Sequence, residues 1–267
     1  MTNWSTALEG IDTVFHLAAR VHVQGEPDEV GAAAFLSVNV EATAALARAA
    51  AASGVGRFIF VSSVKVMGDV SARRPFVEDD SPQPQDAYGR SKLAAEQALA
   101  QIAGQIQVSI VRPPLVYGPG VRANFLSLLK LAASRWPLPL GAAQAPRSMV
   151  FIDNLVDALI ACATRPHGSP ATYFVSDGRD VSVAELVRLM RVEMGVPVRL
   201  WNLPAGVVGA VTKGLGRADA AARLFSPLQV DIGRIRRELG WSPPVTAESG
   251  LRSTVRWFLD TRGKGVT

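Results

Sequence analysis

Strand-like and helix-like stretches alternate through the first half of this chain, and that alternation limits its fold more than any other feature. Phe58-Ile59-Phe60-Val61 is an unbroken, β-rich apolar run, of the kind buried on both faces. Thr13 to Ala18 reads as another buried strand, Gln107 to Val111 as the next, and Thr172 to Val175 as a strand that returns later. Helical patterns lie between them. Residues 28–53 form an Ala-rich stretch in which Phe35, Val38, Leu46 and Ala49 recur at helical spacing, ended by Gly54. A polar, Pro-containing loop (69–86) leads to a helix from Tyr88 to about Ala103. The order predicts parallel pairing with right-handed crossovers.

Beyond Tyr117-Gly118-Pro119-Gly120 the pattern loosens. Residues 123–134 read as a helix, and Pro137, Pro139 and Gly141 then break the chain. Arg147 to Ile152 reads as a short strand and Asn154 to Thr164 as a helix. Val183 to Met194 reads as a helix with Ser182 as N-cap and Glu185 three residues on, a capping box. A last helix spans about 248–260.

The 267 residues are 48% hydrophobic and 19% charged, which is the composition of a globular chain with a substantial core. The net charge of +5 comes from dispersed basic residues. The densest group, Arg234, Arg236 and Arg237, reads as a solvated helix face and not as a nucleic-acid site. A basic surface also suits a phosphate-bearing substrate. Cys162 is the single cysteine, so no intrachain disulfide can form, and its apolar surroundings mark it as a core residue. No run reaches the ~18 apolar residues of a membrane span, and the start shows no signal-peptide pattern. A soluble, cytoplasmic protein with no membrane or metal partner is expected.

Chemistry is concentrated at Tyr88 and Lys92, four residues apart and so on one helix face. A cation beside a phenol favours the phenolate, so Lys92 is expected to lower the Tyr88 pKa from its usual value near 10. Ser62 and Ser63 end the Phe58–Val61 run, and a strand-end hydroxyl could share the oxygen being protonated. Such a group suits moving a proton on and off a carbinol while hydride leaves or reaches its carbon.

Taken in order, His16-Leu17-Ala18-Ala19, Asn39-Val40-Glu41-Ala42-Thr43, Phe60-Val61-Ser62-Ser63, Tyr88-Gly89-Arg90-Ser91-Lys92, Arg112-Pro113-Pro114-Leu115-Val116-Tyr117-Gly118-Pro119-Gly120, Arg147-Ser148-Met149-Val150 and Leu239-Gly240-Trp241-Ser242-Pro243 resemble the extended short-chain dehydrogenase/reductases, in their nucleotide-sugar epimerase/dehydratase branch. The resemblance covers nearly the whole chain. It implies an α/β, doubly wound parallel sheet (Rossmann-like) with cofactor at the carboxyl ends of the strands. Residues 1–117, with the returning strand near 172–176, would be the dinucleotide-binding domain, and 118–267 would form most of a smaller substrate lobe. The cofactor would be NAD, with NADP as the alternative, and the substrate a UDP-sugar. Family members pair through long helices, so a homodimer is expected.

Carried over residue by residue, the resemblance makes Tyr88 the acid/base, Lys92 its pKa modulator and ribose contact, and Ser63 the partner of the reacting oxygen. Ala18 and Ala19 would lie along the cofactor, Asn39 would support their turn, and Ser62 and Pro113 would touch the nicotinamide end. Asn124 and Arg147 resemble contacts to the substrate diphosphate, where an Arg fork fits phosphate oxygens.

Plainer roles exist for each. Tyr88 and Lys92 could be a solvated helix pair, Ser62 and Ser63 a strand end, Asn124 an N-cap, and Arg147 the partner of an acidic neighbour. His16 and Trp241 read as packing residues.

Two departures narrow the activity. Dehydratases of the family carry acids directly after the catalytic hydroxyl, where this chain has Val64 and Lys65, neither of them a general acid at neutral pH. That leaves epimerisation at C4, or reduction of a 4-keto sugar. Leu115 stands where many relatives carry an Asn that touches the sugar. The stretches Val108–Gly120 and Arg147–Val156 most resemble bacterial enzymes of N-acetylated UDP-sugars. Only twelve residues precede Thr13, whereas the family's Gly-rich turn and first strands would need roughly 60. An N-terminally shortened chain is therefore expected, with Thr13–Ala18 as an edge strand and weakened cofactor affinity. A folded remnant that binds without turnover is the non-enzymatic alternative.

Overall fold

The computed structural model describes residues 4–21, 33–165, 170–204, 206 and 224–263. Four parallel strands form the main sheet: β1 (Thr13–His16), β2 (Arg57–Val61), β3 (Gln107–Arg112) and β7 (Ala171–Phe174), in the order β1-β2-β3-β7. The register sets His16 beside Phe60, Val61 beside Val111, and Arg112 beside Phe174. Because every strand runs the same way, the residues that follow them all emerge on one edge.

Alternation along β2 explains its unbroken apolar run. Phe58 and Phe60 point to one face, where they pack with Ala47 and Ala50 of α2 (Ala42–Ala52) and with Ala95 and Leu99 of α3 (Ala87–Ala100). Ile59 points to the other face, among Leu155, Ala158, Leu159 and Cys162 of α5 (Ile152–Thr164). Each of the buried Phe, Ile and Leu side chains contributes about 1.5–3 kcal/mol. Cys162 sits in this core, and burial pushes its thiol up to about 12.

The first strand is shorter and more open than its apolar spelling predicts. It ends at His16, and Phe15 and Leu17 are exposed. Val14 packs with the α2 side of the sheet and His16 bonds to Thr43 of α2, so the alternate residue, Phe15, faces away from that layer. Among the described residues β1 pairs with β2 alone.

The Ala-rich stretch also departs from a single regular helix. Its first residues, 28–32, lie outside the described ones. Leu36–Glu41 is a π-helical turn that leads into α2. The wider turn shifts the register, so Asn39 is buried and Val38 is exposed, the reverse of plain helical spacing.

Beyond β3 the chain builds a second packed unit. It contains α4 (Ala123–Ala132), α6 (Val183–Glu193) and α8 (Ala247–Gly263), which share a core of Phe125, Leu129, Leu186, Val187, Met190, Leu251 and Val255. A strand the spacing did not predict, β4 (Leu115–Tyr117), pairs in parallel with β6 (Met149–Phe151). The expected Arg147–Ile152 strand is split: β5 (Pro146–Arg147) pairs antiparallel with β8 (Val181–Ser182), while Ile152 opens α5. Asp177 ties these pieces together, accepting from the Phe151 amide at 2.8 Å, the Asn154 side chain at 2.8 Å and the Tyr117 hydroxyl at 2.7 Å. Ser182 caps α6 by accepting from the Glu185 amide at 3.1 Å. Trp241 is buried and its indole donates to Asp157 at 2.8 Å, a packing role. The three arginines lie on or beside α7 (Gly233–Leu239), where Arg234 is paired with Asp79 at 2.6 Å. Among the described residues no helix is long and apolar enough to cross a membrane.

Candidate active site

Asp86 starts α3 by accepting from the Gly89 amide at 2.7 Å, which fixes Tyr88 in the first turn. Gly89 is required there: a Cβ would stand 2.5 Å from the Lys65 carbonyl oxygen, in the short 3-10 turn Val64–Val66 that follows β2. Helix α3 thus begins in direct contact with the turn that carries Ser63. The Ser63 hydroxyl accepts from the Lys65 amide at 3.2 Å and lies close enough to the Tyr88 phenol to favour its ionised form. One turn further along α3, the buried Lys92 ammonium donates to the Val61 carbonyl at 2.8 Å and lies 4.6 Å from the centre of the Phe60 ring. Ser63, Tyr88 and Lys92 therefore meet at the carboxyl end of β2, and the solvated-pair alternative for Tyr88 and Lys92 does not describe them.

The electrostatics correct one expectation. The Tyr88 phenol is pushed above its ordinary value, first by burial and then by the Asp86 carboxylate, with the Ser63 hydroxyl opposing. Lys92 does not lower it, because its ammonium is turned toward Val61 and Phe60. Lys92 itself is pushed down to about 8 by burial, with Glu96 opposing. His16 is pushed down to about 4 by burial and by the Lys92 charge, and its Nε2 lies 2.8 Å from the Thr43 hydroxyl.

The chain after β1 reaches the same edge. Ala18 is exposed and Ala19 half-buried. The Asn39 amide holds the turn by accepting from Arg20 N at 2.7 Å and donating to Arg20 O at 3.0 Å, and it also donates to Ser91 of α3 at 2.9 Å. Pro113, after β3, is buried and its carbonyl accepts from Val64 N at 2.9 Å. Ser62 turns inward and donates to Glu96 at 2.5 Å. Asn124 is exposed as the second residue of α4; the N-cap position belongs to Arg122, so Asn124 is not a cap. Arg147 is half-buried in β5 and donates to the Ser226 carbonyl at 2.7 Å.

Glu96 was not singled out from the sequence, nor were the partners that hold Lys65. Glu96 takes two bonds from the Arg112 guanidinium, at 3.0 Å and 2.6 Å, in addition to that from Ser62. Its signal was present as the next step of the Tyr88, Lys92 spacing. Lys65 is paired with Asp69 and, at 3.2 Å, with Asp86. That contact joins a loop residue to a cap and had no signal in the spacing.

A parallel sheet covered on both faces, with a Ser–Tyr–Lys group at its carboxyl edge, defines a Rossmann-like α/β enzyme of the reductase/epimerase type. Residues 2–176 match the NAD dependent epimerase/dehydratase family, and the chain belongs to that family. It is 39% identical to a UDP-glucose 4-epimerase of Vibrio cholerae over 98% of this chain and 81% of that one. It is 31% identical to a dTDP-glucose 4,6-dehydratase of Streptomyces griseus over 94% of this chain and 73% of that one. Among solved structures it is similar to MoeE5 in complex with UDP-glucose and NAD, with a TM-score of 0.76, 28% identity, and coverage of 98% of this chain and 83% of that one.

The residues at the sheet edge suit the nicotinamide end of a dinucleotide. Ala18 and Ala19 carry nothing beyond Cβ and let a ligand approach the backbone, the Asn39 clamp keeps their turn in place, and the Lys92 ammonium stands at the strand end.

Proposed function

We propose that this chain interconverts the C4 epimers of a UDP-hexose or UDP-N-acetylhexosamine with NAD as cofactor. The observation that carries this reading is the convergence of Ser63, Tyr88 and Lys92 at the end of β2, where Gly89 packs the start of α3 against the turn after Ser63 and Lys92 bonds to the Val61 carbonyl. The names of the Vibrio cholerae relative and of the MoeE5 complex support it.

Ser63 and Tyr88 would both contact the C4 oxygen of the sugar. A phenol above its ordinary value holds its proton at neutral pH, so Tyr88 is suited to donate to a ketone oxygen. The opposite transfer needs the phenolate, which the nearby Ser63 hydroxyl favours. When bound, a nicotinamide would supply the hydride acceptor and donor that inversion at C4 requires. Ala18, Ala19, Asn39, Pro113 and Lys92 are the residues we assign to holding it, Asn39 by fixing the turn, while Ser62, turned inward to Glu96, supports that edge from behind. Asn124 and Arg147 are the proposed contacts to the diphosphate, the latter because its fork suits phosphate oxygens. The cofactor domain would comprise residues 1–117 with β7, and the remainder would form most of the substrate lobe. A cytoplasmic homodimer completes the proposal, and light scattering would test the pairing.

Against dehydration, Val64 is buried in the core and Lys65 is held by two carboxylates, so neither serves as the acid that elimination needs. Incubation of the full chain with UDP-glucose or UDP-N-acetylglucosamine and NAD, without reductant, tests the reading by NMR of the sugar. The C4 epimer is expected. A 4-keto-6-deoxy product would make it a dehydratase, and consumption of NAD(P)H by a 4-keto sugar without interconversion would make it a reductase.

A further inference from the structure

We infer that Glu96 is a positioning residue for this site: its carboxylate clamps helix α3 to the ends of β2 and β3 and stands as the counter-charge one turn beyond the Lys92 ammonium. This inference rests on the reading of Lys92 as part of the reacting group.

Tyr88, Lys92 and Glu96 follow one another at intervals of four on α3, so they share one face of the helix. Tyr88 meets Ser63 and Lys92 meets Val61. Glu96 makes the third attachment of that face to the sheet. One of its oxygens accepts from the Ser62 hydroxyl at 2.5 Å and from Arg112 Nε at 3.0 Å, and the other accepts from Arg112 Nη2 at 2.6 Å. Glu96, Arg112 and Ser62 are 5%, 6% and 3% exposed, so these charge-assisted bonds are little screened by water. Ser62 is the neighbour of Ser63, and Arg112 that of Pro113. The clamp therefore fixes both loops of the sheet edge relative to the helix that carries Tyr88.

The second part concerns Lys92. The charged groups shown to act on it are Glu96 from α3 and His16 from β1, with Arg112 from the end of β3 paired to Glu96; Tyr88 precedes it by one turn on α3, and β2 offers the Phe60 ring and the Val61 carbonyl. Burial pushes the amine down to about 8, close enough to neutrality that its charge depends on its neighbours, and Glu96 is the group that opposes that fall. A purely structural ion pair would hold the helix without acting on Lys92.

The test reads the Lys92 titration directly, by NMR of the full chain with lysine labelled with 13C at Cε and the Lys92 signal assigned through Lys92→Arg. A wild-type midpoint of about 8 is expected. In Glu96→Gln the midpoint should fall by about half a unit or more, and in Glu96→Asp, which keeps the charge, it should return toward the wild-type value. The alkaline limb of kcat/KM should move with it. If Glu96→Gln leaves Arg112 unpaired and does not fold, the neutral pair Glu96→Gln with Arg112→Met removes both charges, a replacement that buried ion pairs often tolerate, and a smaller fall in the same direction is expected because a more distant cation leaves with the anion. An unchanged midpoint in either folded variant overturns the inference. A wild-type chain that titrates as expected but does not epimerise sinks the functional reading and not this one; an active chain with an unmoved midpoint does the reverse.

Discussion

The Lys92 ammonium donates to the Val61 carbonyl at 2.8 Å, and this bond ties the helix that carries Tyr88 to the strand that ends at Ser63. It holds a cation in a site that resists one. Folding lowers the amine from 10.5 to about 8, so its favourable contribution exists only as pH rises above that range, and below it the buried charge costs stability. The cost at neutral pH is roughly 3 kcal/mol. Lys92→Met should therefore raise the melting temperature at pH 7, by about 2–4 °C per kcal/mol recovered, while activity is lost. Thermal melts and epimer assays on the same preparation check this, and a variant that melts lower would contradict it.

Tyr88→Phe removes the hydroxyl and leaves the ring against Phe35, where the two rings pack edge to face at 6.3 Å. The melting temperature should change little. Turnover should fall by about 10²–10⁴-fold, the usual contribution of a positioned acid/base. Retained turnover would mean that another group moves the proton.

His16 controls an acid limb of stability. Its folded pKa is depressed from 6.5 to about 4, so its contribution is present above 6.5 and is lost as pH falls through that interval. Over the full interval the loss is roughly 3 kcal/mol. Urea midpoints at pH 7 and pH 4.5 should differ more for the wild type than for His16→Gln, which cannot take up the proton. Equal slopes would remove His16 as the cause.

Gly89→Ala tests the close approach of α3 to the turn after β2. The new Cβ would meet backbone, 2.5 Å from the Lys65 oxygen, so the helix start or the turn must shift. A displacement near 1 Å between Tyr88 and Ser63 costs about 10²-fold in rate. The expected result is a sharp fall in kcat with a stability loss of about 1–3 kcal/mol, measured by steady-state kinetics and denaturant unfolding.

The parallel sheet was legible because strands buried on both faces leave unbroken apolar runs, as Phe58–Val61 does, and because helices between them force parallel crossovers. The short strands β4, β5 and β8 were harder to read, since two or three residues carry no period. Val38 was placed on the buried face and Asn39 took it instead, because a π-helical turn changes the repeat on which the spacing relies.

Within the site, the chain's own order determined that Tyr88 and Lys92 share a helix face and that Ser62 and Ser63 end a strand, since both follow from local periodicity. Folding alone decided what surrounds them. Whether the Tyr88 phenol becomes more or less acidic depends on burial and on how far away Asp86, Ser63 and Lys92 come to rest. Likewise the meeting of Glu96 with Ser62 and Arg112 joins residues 34 and 16 positions apart. Solvation and through-space charge act on distances that no spacing rule along the chain can supply.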